Sequence, residues 1–225
     1  MLLTIPDLID ADTVQALRQG LREAQWDDGG DTAGQQAAQA KRNQQVSERC
    51  ARLPALREVV VRALHQHGTF MSAALPHRLA PPQFNRYSGA SNHYGWHADC
   101  AVRVHAGGHV RSDVSATLFL SDPDSYDGGE LRIQDTFGTH AVKLPAGSLV
   151  LYPSSSIHEV TPVTRGERLG CFMFIQSLVR TAEHRRLLFD MDMALLALRQ
   201  DHGDSDPVVQ LTGTYHNLLR QWAET

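Results

Sequence analysis

Two histidines, an aspartate and an arginine carry the chemistry that this sequence suggests. His97 and Asp99 stand two residues apart, a second histidine follows at His158, and Arg168 comes after a short turn. On a β-strand, residues i and i+2 project from the same face, so His97 and Asp99 are predicted to point at one spot. With His158 they would form a face of two imidazoles and one carboxylate. Such a face leaves positions open on an octahedral metal and is typical of non-haem Fe(II) oxygenases.

Arg168 adds a binding group for an acid. A guanidinium binds a carboxylate through two parallel hydrogen bonds, as a dicarboxylic co-substrate bound to the metal would require. The pattern leaves alternatives open, because a chain with twelve histidines contains a His-x-Asp triplet by chance fairly often. One alternative is a pair of buried polar residues beside an unrelated surface arginine. Zinc is another candidate metal, although the chain has no His-Glu-x-x-His motif.

Composition and charge narrow the class of protein. A chain of 225 residues that is 42% hydrophobic and 20% charged is ordinary for a single globular domain with a sizeable core. The formal net charge of -4 argues against a surface that binds nucleic acid, because such surfaces are rich in Lys and Arg. The chain shows no spanning apolar run and no secretion signal, so we expect no membrane association. Three cysteines without a Cys-x-x-Cys motif fit reduced thiols and predict a cytoplasmic protein.

Three regions are predicted to position the site. Residues 1–77 are interpreted as an N-terminal helical support, with amphipathic helices over 12–25 and 53–67. The polar stretch between 27 and 45 is either a loop that orders over a site or a surface connection. Residues 179–225 are predicted to be a short C-terminal helical extension, with helices over 185–200 and 208–222. These C-terminal helices are expected to pack on the sheet or to form a homo-oligomer contact.

The central region, residues 78–178, is predicted to be a jelly-roll core. Short apolar runs separated by Gly, Pro, Asp and Ser are typical of antiparallel strands. The predicted strands cover 83–87, 96–101, 115–120, 130–134, 140–143, 148–152, 157–162 and 169–178. Strands that bring the two histidines, the aspartate and the arginine together favour two facing sheets. The predicted fold class is therefore α+β, mainly β: a double-stranded β-helix with N-terminal supporting helices and the C-terminal extension.

A series of motifs also resembles a known family. In chain order the motifs are Asn85-Arg-Tyr-Ser-Gly-Ala, His97-Ala-Asp, Ser115-Ala-Thr-Leu-Phe-Leu-Ser-Asp, Tyr126-Asp-Gly-Gly-Glu-Leu, Lys143-Leu-Pro-Ala-Gly-Ser-Leu-Val-Leu-Tyr-Pro-Ser and His158-Glu-Val-Thr-Pro-Val-Thr-Arg-Gly-Glu-Arg. In this order and spacing they resemble the PKHD-type hydroxylases. These are bacterial Fe(II)- and 2-oxoglutarate-dependent dioxygenases similar to the prolyl 4-hydroxylase catalytic domain. The resemblance covers nearly the whole chain, including the C-terminal Leu211-Thr-Gly-Thr-Tyr-His-Asn-Leu-Leu-Arg-Gln-Trp.

The resemblance implies roles for individual residues. It makes His97, Asp99 and His158 the catalytic ligands of Fe(II), and Arg168 the anchor of the co-substrate 2-oxoglutarate. Tyr87 matches a tyrosine that hydrogen-bonds this co-substrate in prolyl-hydroxylase-like enzymes, although a core aromatic at a strand end is the alternative. One departure lies between Thr117 and Leu120, where related hydroxylases can have a second tyrosine and this chain has Phe119.

The resemblance also implies an activity. The expected reaction is hydroxylation of an unidentified small molecule or protein side chain, with L-ascorbate keeping the iron reduced and a possible link to iron uptake. Asp99 argues for hydroxylation over halogenation, because no ligand position is left vacant for a halide. A protein prolyl hydroxylase and a non-catalytic sensor of iron or 2-oxoglutarate are the alternatives. Tyr94 and Trp96, just before the first ligand, either shape the substrate pocket or cover the sheet.

Overall fold

Two antiparallel sheets dominate the computed structural model, which describes residues 1–32, 39–105 and 107–225. The strands are β1 (Leu3–Ile5), β2 (Trp26–Asp28), β3 (Lys41–Arg42), β4 (Gln44–Val46), β5 (Pro76–Leu79), β6 (Gln83–Tyr87), β7 (His93–His97), β8 (Val102–His105), β9 (Gly108–Arg111), β10 (Val114–Phe119), β11 (Asp127–Gly128), β12 (Leu131–Asp135), β13 (Gly138–Val142), β14 (Leu149–Pro153), β15 (His158–Val160), β16 (Val163–Arg165) and β17 (Arg168–Ser177). The helices are α1 (Ala11–Arg22), α2 (Leu53–Gln66), α3 (Gly68–Ala74), α4 (Ala182–His202) and α5 (Asp206–Trp222).

The two sheets have the arrangement of a jelly roll. The larger sheet has eight strands in the order β1-β14-β10-β17-β6-β4-β2, with β5 paired to the far end of β17. The smaller sheet has five strands in the order β13-β12-β15-β7-β3, and two ribbons, β11-β16 and β8-β9, lie outside both sheets. The predicted double-stranded β-helix is therefore confirmed.

Alternating side chains of the larger sheet fill two separate cores. In β14, Leu149 and Leu151 pack in the cluster that includes α1 and α2, whereas Val150 and Tyr152 pack with residues of the smaller sheet. This follows from the period of two along a strand, which sends successive side chains to opposite faces. The larger sheet consequently lies between the N-terminal helices and the smaller sheet, and the second core contains the candidate site.

The N-terminal helices lie close to their predicted positions. Asp10 caps α1 by accepting a hydrogen bond from the Thr13 amide at 2.8 Å, which satisfies one of the free N–H groups at a helix start. The second predicted helix, 53–67, matches α2 to within one residue. The short helix α3 was not predicted, because seven residues are too few for a periodic signal.

The prediction of a polar connection over 27–45 was wrong for its described part. β2, β3 and β4 lie there and extend both sheets, with β3 paired to β7 and β4 paired to β6. The backbone pairing overrides the polar composition, and Lys41 is only 4% exposed. Residues 33–38 of the predicted connection lie outside the described residues. Because β1–β4 belong to the sheets, the predicted helical region 1–77 also supplies part of the jelly roll.

Eight predicted strands correspond to observed ones, with one informative displacement. The strand predicted over 96–101 is β7, which ends at His97. Asp99 therefore lies beyond the strand, so the same-face argument that paired it with His97 does not apply. Beyond Asp99 the chain forms the unpredicted hairpin β8-β9.

The two C-terminal helices pack on each other. Leu188 and Leu195 of α4 and Val208 and Tyr215 of α5 share one cluster with Leu75. Other apolar side chains of these helices are exposed, namely Leu187, Leu196, Val209 and Leu211. The homo-oligomer contact stays a prediction. Among the described residues, no helix is long and apolar enough to cross a membrane.

Candidate metal and co-substrate site

The three predicted ligands meet at one point between the sheets. A ligand atom from each of His97, Asp99 and His158 lies within 4.8 Å of the others. The histidines face each other across β7 and β15, where His97 and His158 are register partners. Asp99 reaches the same point from the segment after β7, with its Oδ2 3.7 Å from Nε2 of His158.

Both imidazoles are oriented by their own backbone. Nδ1 of His97 lies 2.7 Å from the Gly95 carbonyl oxygen, and Nδ1 of His158 lies 3.0 Å from that of Ser156. A carbonyl only accepts, so each Nδ1 carries the proton and each Nε2 keeps a lone pair for a metal. Burial, followed by the neighbouring His158, lowers the pKa of His97 to about 4. His97 is therefore neutral at pH 7, the form that binds a metal.

Ring packing holds the imidazoles in place. The Tyr94 ring stacks on His97 at 3.5 Å between centroids, and Tyr152 meets His158 edge-on at 5.0 Å. Tyr94, which was expected either to shape the substrate pocket or to cover the sheet, lines the cleft. Trp96, for which the same was expected, is 42% exposed and is not among the residues that line it.

Two serines position the carboxylate. The Ser115 hydroxyl donates to Oδ2 of Asp99 at 2.6 Å, and the Ser154 hydroxyl lies 2.7 Å from that of Ser115. Arg103 approaches the other oxygen, with Nη2 3.8 Å from Oδ1. Sequence reasoning did not single out Ser115, Ser154 or Arg103. No spacing pattern in the sequence links these residues to Asp99.

The donor set fits a divalent transition metal. Two neutral imidazole nitrogens and one carboxylate oxygen occupy one face and leave the other coordination positions to other molecules. The hydrogen bonds that the imidazoles donate to the Gly95 and Ser156 carbonyls, and that Ser115 donates to Asp99, are of the kind that orient metal ligands. His97, Asp99 and His158 could therefore hold the metal.

Arg168 is a buried cation at one end of the cleft. It is 1% exposed, and its guanidinium carbon lies 5.3 Å from the Tyr87 ring and 5.1 Å from the Phe119 ring. Its Nε lacks a hydrogen-bond partner, the neighbouring Tyr126 is a neutral phenol, and no acidic side chain among the described residues forms a salt bridge with it. A buried charge without a counter-ion is unfavourable, so the site favours an anionic ligand.

Tyr87 lies beside this arginine. The two residues are register partners on β6 and β17, and the buried Tyr87 hydroxyl accepts a weak hydrogen bond from Asn85 Nδ2 at 3.4 Å. Burial raises the pKa of Tyr87, so its hydroxyl stays a donor. Phe119 stands where related hydroxylases can have a second tyrosine. It packs its ring against the Arg168 guanidinium and has no hydroxyl to donate a hydrogen bond.

One cleft contains all of these groups. It encloses about 60 Å³ and opens to solvent at its mouth. The five predicted site residues all line it, together with Lys41, Asn43, Asn85, Tyr94, Arg103, Ser115, Thr117, Tyr152, Phe172 and Phe174. Sequence reasoning did not single out Lys41, since it lay in a polar stretch that was expected to be a loop or a surface connection. Burial, followed by Arg103, lowers the pKa of Lys41 to about 8.

Comparison with known proteins identifies the family. A PKHD-type hydroxylase of Nitrosomonas europaea is 60% identical, and PKHD-type hydroxylase YbiX of Escherichia coli is 52% identical, each over 100% of both chains. This chain belongs to the PKHD-type hydroxylases. The profile of the 2OG-Fe(II) oxygenase superfamily matches residues 82–176 of this hydroxylase, and that of the PKHD-type hydroxylase C-terminal domain matches 183–224.

Solved structures support the same fold. A Pseudomonas putida prolyl-4-hydroxylase is 25% identical with a TM-score of 0.52, over 78% of this hydroxylase and 92% of that chain. HygX from Streptomyces hygroscopicus, solved with nickel and 2-oxoglutarate, is 18% identical with a TM-score of 0.54, over 79% and 84%. The PKHD-type hydroxylase described here is therefore a 2-oxoglutarate-dependent dioxygenase, and its superfamily uses Fe(II) and 2-oxoglutarate.

Proposed function

We propose that this enzyme hydroxylates a C–H bond of a small molecule bound in the cleft, with Fe(II) held by His97, Asp99 and His158. Arg168 binds the far carboxylate of 2-oxoglutarate. The observation that carries the proposal is the convergence of three ligand atoms within 4.8 Å in a cleft that also contains a buried arginine without a salt bridge among the described residues.

The protein's own groups bind and orient the reactants. When bound, the iron and its co-substrate would supply the oxidation, in which O₂ gives one oxygen atom to the substrate and one to succinate as 2-oxoglutarate loses CO₂. Each histidine presents Nε2 because its Nδ1 proton is held by a backbone carbonyl. The Ser115 hydroxyl holds one carboxylate oxygen of Asp99. Arg168 and the Tyr87 hydroxyl bind the far carboxylate, and the buried rings around them exclude water.

A small molecule fits the cleft better than a peptide. The site lies between the two sheets and is lined on several sides by buried residues, whereas an extended peptide needs a long open groove or a sheet edge. We propose an iron-related small molecule as the substrate, in line with the link to iron uptake that the sequence resemblance implies. The alternative of a prolyl side chain is supported by the likeness to a prolyl-4-hydroxylase.

A cytoplasmic location, a requirement for L-ascorbate and a homo-oligomer contact through α4 and α5 complete the proposal. Ascorbate would return adventitious Fe(III) to Fe(II). The exposed Leu187 and Leu196 of α4 and Val209 and Leu211 of α5 support the contact.

Succinate formation tests the activity. Chelator-stripped protein is incubated with 2-oxoglutarate, O₂ and Fe(II), first without and then with a cell extract under ¹⁸O₂. We expect slow succinate formation without substrate, faster formation with the extract, and a product one ¹⁸O heavier by mass spectrometry. Binding of Fe(II) and 2-oxoglutarate without succinate in either condition would contradict an enzyme and favour a sensor. A labelled protein side chain would favour the prolyl alternative.

A further inference from the structure

The segment that carries Asp99 is held on its C-terminal side by the base of the β8-β9 hairpin. The Ala101 carbonyl, two residues after Asp99, accepts a hydrogen bond from the Ser112 amide at 2.8 Å. Val102 and Arg111 are register partners at the same end of the hairpin. The position of this hairpin base therefore limits where the Asp99 carboxylate can lie.

Arg111 joins this hairpin base to two other parts of the molecule. Its Nε and Nη2 donate to the two carboxylate oxygens of Asp113 at 2.8 and 3.0 Å, a bidentate contact that fixes direction as well as distance. Its Nη1 donates to Oε2 of Glu224 in the C-terminal extension at 2.9 Å. Glu224 is held in turn, because its amide donates to the Leu178 carbonyl at 2.7 Å.

Asp113 also supports the serine pair that holds Asp99. It stands two residues before Ser115, and its carbonyl accepts a hydrogen bond from the Ser154 amide at 3.3 Å. Nη2 of Arg185, on α4, donates to the same carbonyl at 3.4 Å. The hydroxyls of Ser115 and Ser154 form the chain that ends on Oδ2 of Asp99. The hairpin base and the serine pair are two supports of one carboxylate, and both contact Asp113.

We propose that Arg111 and Glu224 are positioning residues for the Asp99 carboxylate, so that the C-terminal extension sets how firmly the metal is bound. Neither residue is among the described residues that line the cleft, so both act on the metal through Asp113 and the supports of Asp99. The inference rests on the proposed function, because it takes Asp99 as a metal ligand. Loss of a hydrogen bond that orients a metal ligand typically weakens metal binding by roughly 10- to 100-fold, and a support one step further out should lie at the lower limit.

Co(II) binding to the chelator-stripped protein tests this role, because calorimetry gives the affinity and visible absorption reports the ligand geometry. Arg111→Gln should weaken Co(II) binding by about tenfold and change the absorption bands. Glu224→Gln removes only the link to the extension and should weaken binding by about threefold, as for an ion pair with one exposed member. Asp190→Asn is the matched control and should bind Co(II) like the parent. The Asp190 side chain is 51% exposed, as is that of Glu224, and it pairs with an arginine of the same extension.

A double-mutant cycle distinguishes positioning from a general effect on folding. If Arg111 acts through the groups that hold Asp99, Arg111→Gln should weaken Co(II) binding less in a Ser115→Ala background than in the parent. Effects that multiply in full would show that the two residues act independently and would overturn the inference.

The inference and the proposed function fail separately. Parent-like Co(II) affinity in Arg111→Gln and Glu224→Gln, or an equal loss in Asp190→Asn, overturns the inference even if succinate is still formed from 2-oxoglutarate. If circular dichroism shows that Arg111→Gln does not fold, the comparison of Glu224→Gln with Asp190→Asn decides. A parent that binds Co(II) but forms no succinate with Fe(II) contradicts the proposed function instead.

Discussion

Replacing Arg168 with methionine should separate co-substrate binding from folding and from metal binding. Methionine keeps most of the length and removes the charge and all guanidinium donors. The surrounding rings of Tyr87 and Phe119 pack on the guanidinium at 5.3 and 5.1 Å and can pack on a thioether. An alanine at this position would instead leave a cavity, and its effect on binding would be mixed with a loss of stability.

The expected magnitude follows from the burial of the arginine. A hydrogen-bonded contact between charged groups contributes about 1.5–3 kcal/mol, which corresponds to roughly 10- to 150-fold in affinity. Arg168 is 1% exposed, so water screens the contact little and the upper half of this range is expected. The ligand-free variant should unfold at the same or a higher free energy, since the substitution removes a buried charge that has no salt bridge among the described residues.

Anaerobic calorimetry of 2-oxoglutarate binding to Mn(II)-loaded protein measures the first effect, and urea unfolding of the ligand-free protein measures the second. Arg168→Lys is the matched control: it keeps the charge without the planar fork and should lie between parent and methionine variant. Unchanged 2-oxoglutarate affinity in Arg168→Met would show that another cation holds the carboxylate, and the assignment would then be refuted. A large loss of stability would contradict the view that this charge is uncompensated.

Three further outcomes are expected. Asp99→Ala should lose metal affinity and succinate formation together while its circular dichroism stays that of the parent; parent-level turnover would exclude Asp99 as a ligand. Zn(II) should bind the stripped protein at least as well as Fe(II) and inhibit turnover, whereas full activity with Zn(II) alone would point to hydrolysis. The free energy of unfolding of the metal-free protein should fall by about 1–3 kcal/mol as the pH falls from about 6.5 to 4. In this range the histidine binds a proton in the unfolded chain, whereas in the folded protein the pKa of His97 is lowered to about 4 and the ring stays neutral. This slope should shrink in His97→Gln, and an equal slope there would assign it to other groups.

The fold could be predicted where local patterns are strong. The short apolar runs of β10, β14 and β17 and the helical spacing of α1 and α2 placed these elements within a few residues of their observed bounds. The errors fell where tertiary pairing overrides composition. β3 and β4 are polar and were assigned to a connection, yet the sheet edges of β7 and β6 pair with them.

The sequence by itself determined the family and the types of the groups that meet in the cleft. His97, Asp99, His158 and Arg168 stand in recognisable motifs, and the backbone carbonyls that orient both imidazoles lie only two residues away along the chain. Local geometry of this kind is readable from sequence because it depends on neighbours in the chain.

Only the tertiary structure decided how the carboxylate is held and what else faces the cleft. Ser115 reaches Asp99 across 16 residues, and Ser154 reaches Ser115 across 39. Lys41 and Arg103 enter the cleft because β3 pairs with β7 and because the Arg103 side chain packs over Phe174. These contacts join segments far apart in the chain, and their geometry is set by sheet register and packing, which residue types and spacing do not encode.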